Sequence, residues 1–178
     1  MTSACRLLLA LLLAALASLS VAAGPAKPPK PLLAQIQRLG ELLRDSHAVL
    51  YPEATQVQFV SPRKGEEMAL TMFTVEGFGG GNSHVQYLAA FSTETSDQGK
   101  PHYSLIDVVQ IAGKGWRGIP TLAARLAPGP ARGETLITLD ALEVTADDAP
   151  NFPSKKITVT LSLKGGRLAE LAGPESRK

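Results

Sequence analysis

The sequence predicts an α+β protein: an N-terminal helix packed on a curved, mostly antiparallel sheet of about six to seven strands. Three observations lead there. One segment, Leu32 to Ser46, carries apolar residues at the helical period. After Pro52 the apolar period falls towards two and stays there. The connections are mostly short and rich in Gly and Pro, without the strand–helix alternation of a parallel doubly wound sheet. A helix with one apolar stripe and a sheet with one apolar face cover each other, whereas a closed barrel would leave the helix without a role.

Taken in order, residues 1–23 stand apart from the rest. Met1 to Arg6 carries one positive charge, and Leu7 to Leu19 is Leu and Ala with a single Ser. Ser20-Val21-Ala22-Ala23 follows, with small residues at the −3 and −1 positions of a cut before Gly24. This is the three-part layout of a secretory signal peptide. Its apolar run is well short of the roughly 20 residues that span a membrane. Cleavage near Ala23/Gly24 predicts a periplasmic or secreted protein with no transmembrane segment. The only cysteine, Cys5, leaves with the signal, so stability rests on the core and not on disulfides. A chain of the remaining length buries roughly 70% of its unfolded surface, enough for such a core.

Gly24 to Pro31 has four prolines in eight residues and reads as an extended spacer. One domain, 32–172, follows, and 173–178 reads as a polar tail. In the helix, Leu32, Leu33, Ile36, Leu39, Leu42 and Leu43 form the stripe, and Gly40 costs about 1 kcal/mol relative to Ala. The expected strands are Gln56 to Val60, Met68 to Val75, His84 to Thr93, Tyr103 to Ala112, Glu134 to Thr145, Lys156 to Leu163 and Leu168 to Leu171. Ile119 to Leu126 reads equally as strand or short helix. Lys164-Gly165-Gly166-Arg167 is a hairpin turn.

Composition removes several classes. With 18 basic and 16 acidic residues, the chain lacks the dense basic face of a dedicated nucleic-acid binder. Its makeup also excludes collagen, a coiled coil and a wholly disordered chain. No cofactor is implied. His47, His84 and His102 lie far apart without zinc-type spacing, so no metal site is predicted. Asp147-Asp148-Ala149-Pro150-Asn151 offers too few oxygens for calcium and reads as a turn.

Two loops are candidate contact sites. Glu76-Gly77-Phe78-Gly79-Gly80-Gly81-Asn82-Ser83-His84 is either a ligand rim, with His84 and Tyr87 beside it, or a wide hairpin connection. Gly113-Lys114-Gly115-Trp116-Arg117-Gly118 flanks the only Trp with two cations. It is either a binding surface or a Trp capping the core. Lys114, Trp116, Arg117, Tyr87 and His84 are the expected ligand or partner contacts.

The Gly113-Lys114-Gly115-Trp116-Arg117 loop, the later Asp147 to Lys156 stretch and Leu163-Lys164-Gly165-Gly166-Arg167-Leu168 resemble a set of small exported bacterial proteins of unassigned function. The equivalent loop there reads Asp-Ala-x-Cys-Cys-Pro-Ser; Asn151-Phe152 stand here in place of the cysteine pair. The resemblance implies export and a bacterial source, and no activity.

No catalytic site residues are assigned. There is no Gly-x-Ser-x-Gly elbow, and adjacent Ser83 and His84 would point to opposite faces of a strand. The leading expectation is a non-enzymatic exported protein that binds an envelope protein or a small ligand. The alternatives are a small hydrolase or isomerase working on the concave sheet face through His84, Asp107 or Glu76, and a structural envelope component.

Overall fold

The structure is a computed structural model and describes residues 26–172. The segment expected to be a signal peptide (1–23) and the one expected to be a polar tail (173–178) therefore lie outside the described residues. Helix α1 runs Lys30–Leu43. Ten strands follow: β1 Val49–Leu50, β2 Gln56–Val60, β3 Met68–Glu76, β4 His84–Thr95, β5 Pro101–Gly113, β6 Arg117–Gly118, β7 Arg125–Pro128, β8 Thr135–Glu143, β9 Lys155–Lys164 and β10 Arg167–Glu170. All belong to one antiparallel sheet in the order β1-β3-β4-β5-β6-β8-β9-β10, with β2 also on β3 and β7 on β8.

The expected fold class is thus corrected. The protein is mostly β, with ten antiparallel strands in one sheet, and not an α+β protein with a helix on six or seven strands. The physical reason is length. β1, β6 and β7 have two to four residues each, too few to show a period. β6 nevertheless joins β5 to β8, while β1 and β7 add to β3 and β8.

Curvature gives the sheet two cores. One face of β3, β4 and β5 looks inward at β8, β9 and β10. Met68, Leu70, Met72, Leu88, Ile111, Ile137, Leu139 and Leu161 meet there, with Ile119 and Leu122 from the segment before β7. The opposite face of β3 and β4 packs under α1, where Leu32, Ile36 and Leu39 meet Ala69, Phe73, Val75, Ala89 and Phe91. Both faces of β3 are therefore buried, which explains its nearly continuous burial from Met68 to Phe73. Leu42, assigned to the helix stripe from its period, is instead exposed at the helix end.

The helix starts on prolines, with Pro31 in its first turn and the Leu33 N–H bonded to the Pro29 carbonyl. Ala26 forms an antiparallel bridge with Val57, its N–H and carbonyl both engaged. The described part of the proline stretch, read from sequence as a spacer, thus docks against β2. Gly40 has a packing reason: a Cβ there would meet Leu50 Cδ2 at 2.8 Å, so a larger residue would push the Leu50 side chain aside.

The sheet is not closed by backbone ladders alone. Segment 119–124 crosses the open side beside β2 and β4, and three glutamines hold it. The Ile119 N–H donates to Gln86 Oε1 (2.8 Å), and Gln86 Nε2 donates to the Ile119 carbonyl (3.1 Å). Gln58 does the same at Ala124 (2.7 and 2.9 Å). Gln56 accepts from Leu122 N–H (2.8 Å). At the other seam β10 lies along β5, joined by Leu168 N–H to Asp107 Oδ2 (2.8 Å) and by the Arg117–Glu170 pair.

Gln58→Ala would strand a buried N–H and a buried carbonyl at Ala124. The expected loss is about 2–4 kcal/mol, read as a lower urea midpoint at unchanged slope. The exposed helix substitution Gln37→Ala is the control and should stay within about 0.5 kcal/mol.

Candidate functional site

In this sheet successive turns alternate between two ends. The β2–β3, β4–β5, β7–β8 and β9–β10 connections gather at one end. The β3–β4, β5–β6 and β8–β9 connections gather at the other. The five residues expected to make contact divide between the second end, the interior and the helix side.

At the second end Lys114 N–H donates to the His84 carbonyl (3.2 Å), and Lys114 Nζ donates to Asn82 Oδ1. His84 lies directly across from Glu76 and shares a shallow cavity of about 530 Å³ with His47, Tyr51 and Asn82. Trp116 is 38% exposed, and the Arg117 guanidinium stacks on it at 3.9 Å. Arg117 itself is buried. It donates to the Ile111 carbonyl (2.6 Å) and bidentately to Glu170 (2.7 and 2.5 Å). It is a tie between β5, β6 and β10, and offers no free donor surface. Tyr87 stacks on Phe73 at 5.6 Å on the helix side, and burial pushes its phenol pKa up. The structure thus joins Lys114 with His84 and Trp116 with Arg117, and sets Tyr87 apart.

The hydrolase constellation does not assemble. Asp107 pairs with Ala90, six residues along β4 from His84, which is about 20 Å at strand rise. Its carboxylate is taken by its neighbour Val108 N–H and by Leu168 N–H. No group of three or more acidic, His or Cys side chains is placed to hold a metal among the described residues.

Two aspartates organise loops at this end. Asp148 Oδ2 accepts from Thr145 N–H, Ser154 N–H and Ser154 Oγ, and the loop docks through Gly115 N–H on the Pro150 carbonyl (2.9 Å). Asp45 accepts from His47, Ala48 and Gly79 N–H groups. The Gly79 bond foremost, then those from His47 and Ala48, hold its carboxyl below the ordinary aspartate value. This is the tether of the four-glycine loop, whose Gly80 N–H returns to the Gly77 carbonyl (3.0 Å). The loop is therefore a structured wide connection.

The larger concavity is at the first end, which the motif reading passed over. It is a mouth of about 770 Å³. Met68, Ile106 and Leu163 form an apolar floor continuous with the inner core. Arg63, Glu66, Glu67 and Arg132 stand around it. Arg63 pairs with Glu66 and donates to the Gly133 carbonyl, strapping the β2–β3 turn to the β7–β8 turn. The signal available in the sequence was positional: every second turn shares an end, and all four of these turns carry Arg or Lys beside Gly. Lys164-Gly165-Gly166-Arg167 turns through two positive-φ glycines (57° and 75°) and leaves part of the rim without side chains.

Comparison of the chain with protein families, with curated proteins and with solved structures finds no match.

Two outcomes test this end-to-end division. Glu170→Ala leaves the Arg117 guanidinium buried without its partner and should cost about 3 kcal/mol or more, whereas Trp116→Ala should cost about 1 kcal/mol; chemical denaturation measures both. Because the Asp45 carboxyl is depressed in the fold, its contribution is present above the unfolded value near pH 4 and disappears as pH falls through the lowered one. Asp45→Ala should accordingly speed hydrogen exchange of the Gly79, His47 and Ala48 amides at neutral pH, while the β4 amides stay protected.

Proposed function

We propose that this is an exported, non-enzymatic binding protein that takes a small ligand into the mouth of its curled sheet. The observation that carries the reading is the apolar floor of a mouth of about 770 Å³ at the end where four turns gather. Barrel mouths of this size, apolar below and sparsely polar at the rim, are where folds of this shape hold small molecules. Export rests on the three-part layout of residues 1–23, and the resemblance to small exported bacterial proteins agrees with it. No helix among the described residues is long and apolar enough to cross a membrane. Trp116 and Lys114 at the opposite end are the residues best placed to meet an envelope partner.

Titrating the purified protein with the neutral apolar dye N-phenyl-1-naphthylamine should give a saturable rise in fluorescence. Ile106→Trp, which fills the floor, should abolish that rise, and Trp116→Ala should leave it intact, with thermal unfolding confirming that both variants fold. Dye binding that survives Ile106→Trp in a folded protein removes the mouth from consideration. Mass spectrometry of the exported form should find Gly24 at or next to the new N-terminus; retention of Leu7 to Leu19 there would reverse the export reading.

A further inference from the structure

Resting on that reading of the mouth, we infer that its ligand is a single-chain amphipath with an anionic head, a carboxylate or a phosphate monoester. The apolar part is set by the floor. Met68 from β3, Ile106 from β5 and Leu163 from β9 all belong to or pack on the inner core, so a hydrocarbon chain laid there extends the core.

The head is set by two groups three residues apart at the start of β8. Thr135 lines the mouth and is only 4% exposed, yet its hydroxyl makes no hydrogen bond to another described residue. This hydroxyl is not closed off, since the wholly buried partnerless side-chain oxygens among the described residues are those of Thr55 and Thr93, and so an oxygen of a ligand in the mouth can reach it. Arg132 stands on the rim of the same turn, exposed and without an ion pair among the described residues. Its guanidinium fork matches carboxylate and phosphate oxygens.

The other charges of the mouth narrow the choice. Arg63 and Glu66 neutralise each other, and the Arg63 guanidinium is further occupied by the Gly133 carbonyl. That leaves Arg132 and Glu67. Arg132 has the unbonded Thr135 hydroxyl three residues along, on the inward face of β8, whereas Glu67 has beside it the apolar Met68 and Thr93, and Thr93 shares the helix-side face of β4 with Phe91, opposite Tyr103. Two donors therefore serve an anion, and a single carboxylate is left for a cation.

The test is displacement of bound N-phenyl-1-naphthylamine from the purified protein by dodecanoate, dodecyl phosphate and dodecyltrimethylammonium. The two anions should displace the dye at about tenfold lower concentration than the cation, the step expected of one charge-assisted hydrogen bond. The stronger of the two anions identifies whether the head is carboxylate or phosphate. Arg132→Glu should abolish or invert the preference. Thr135→Val should weaken the anions about threefold or more at an unchanged or higher unfolding temperature, since it removes only a partnerless hydroxyl. Equal or better displacement by the cation, or a preference unchanged in Arg132→Glu, overturns the inference. In either case a dye signal that is still lost in Ile106→Trp leaves the mouth itself standing as a ligand site, whereas absence of dye binding ends both readings.

Discussion

The fold depends on how segment 119–124 is held. A sheet that curls until its two halves face each other must stop pairing somewhere, and wherever it stops it leaves backbone groups beside the core. Burying them without partners costs about 1–3 kcal/mol each. Here the missing ladder is supplied by side chains. A side-chain amide carries an N–H donor and a carbonyl acceptor on separate atoms, as a peptide group does, and so it can imitate a strand residue. Gln58 and Gln86 each satisfy both backbone groups of a single residue, and Gln56 continues the series. Because the segment is fixed, Ile119 and Leu122 reach the inner core, and β7 is delivered to the edge of β8.

The second seam solves the same problem with charge. Arg117 is a costly residue to bury, and its burial is tolerated because every interaction is directional: a carbonyl at Nε, a carboxylate across both terminal nitrogens and the Trp116 ring on its face. The loop that holds the only Trp and two cations looks in sequence like a binding surface. In the fold most of that chemistry is spent on joining β5, β6 and β10. Exposure of Trp116 follows from its role as the outer cover of a buried guanidinium.

This distinction explains what was legible in the sequence. The long strands were, because β8 and β9 keep one wet face and alternate. The Gly165-Gly166 turn was, because its backbone conformation admits few other residues. Gln56 and Gln58 were misleading: alternating with Val57 and Phe59, they read as the solvent face of a half-buried strand, yet Gln58 is buried and faces the inner core side. Alternation reports two different faces and does not say that one of them is wet. The fold class missed for the same reason. A period-two pattern cannot announce that a sheet bends round on itself, and the link between β5 and β8 is the two-residue β6, which is too short to have a period.

The mouth was invisible to motif reading because its residues are scattered and individually ordinary. Met68, Ile106 and Leu163 are three core-forming side chains from distant strands, and Thr135 is an unremarked strand threonine. What unites them is the parity of the turns. At one end of the sheet Asp45 ties down the four-glycine loop, and Asp148 shapes the loop that docks on Gly115. The other end is bounded by turns, two of them strapped together by a single arginine, Arg63. At that end the floor is apolar, and among the described residues the Thr135 hydroxyl has no hydrogen-bond partner and Arg132 no counter-ion. The side chains that hold segment 119–124 and the seam of β5 with β10 are paired, whereas these two groups stand together at the mouth, where a ligand can reach them.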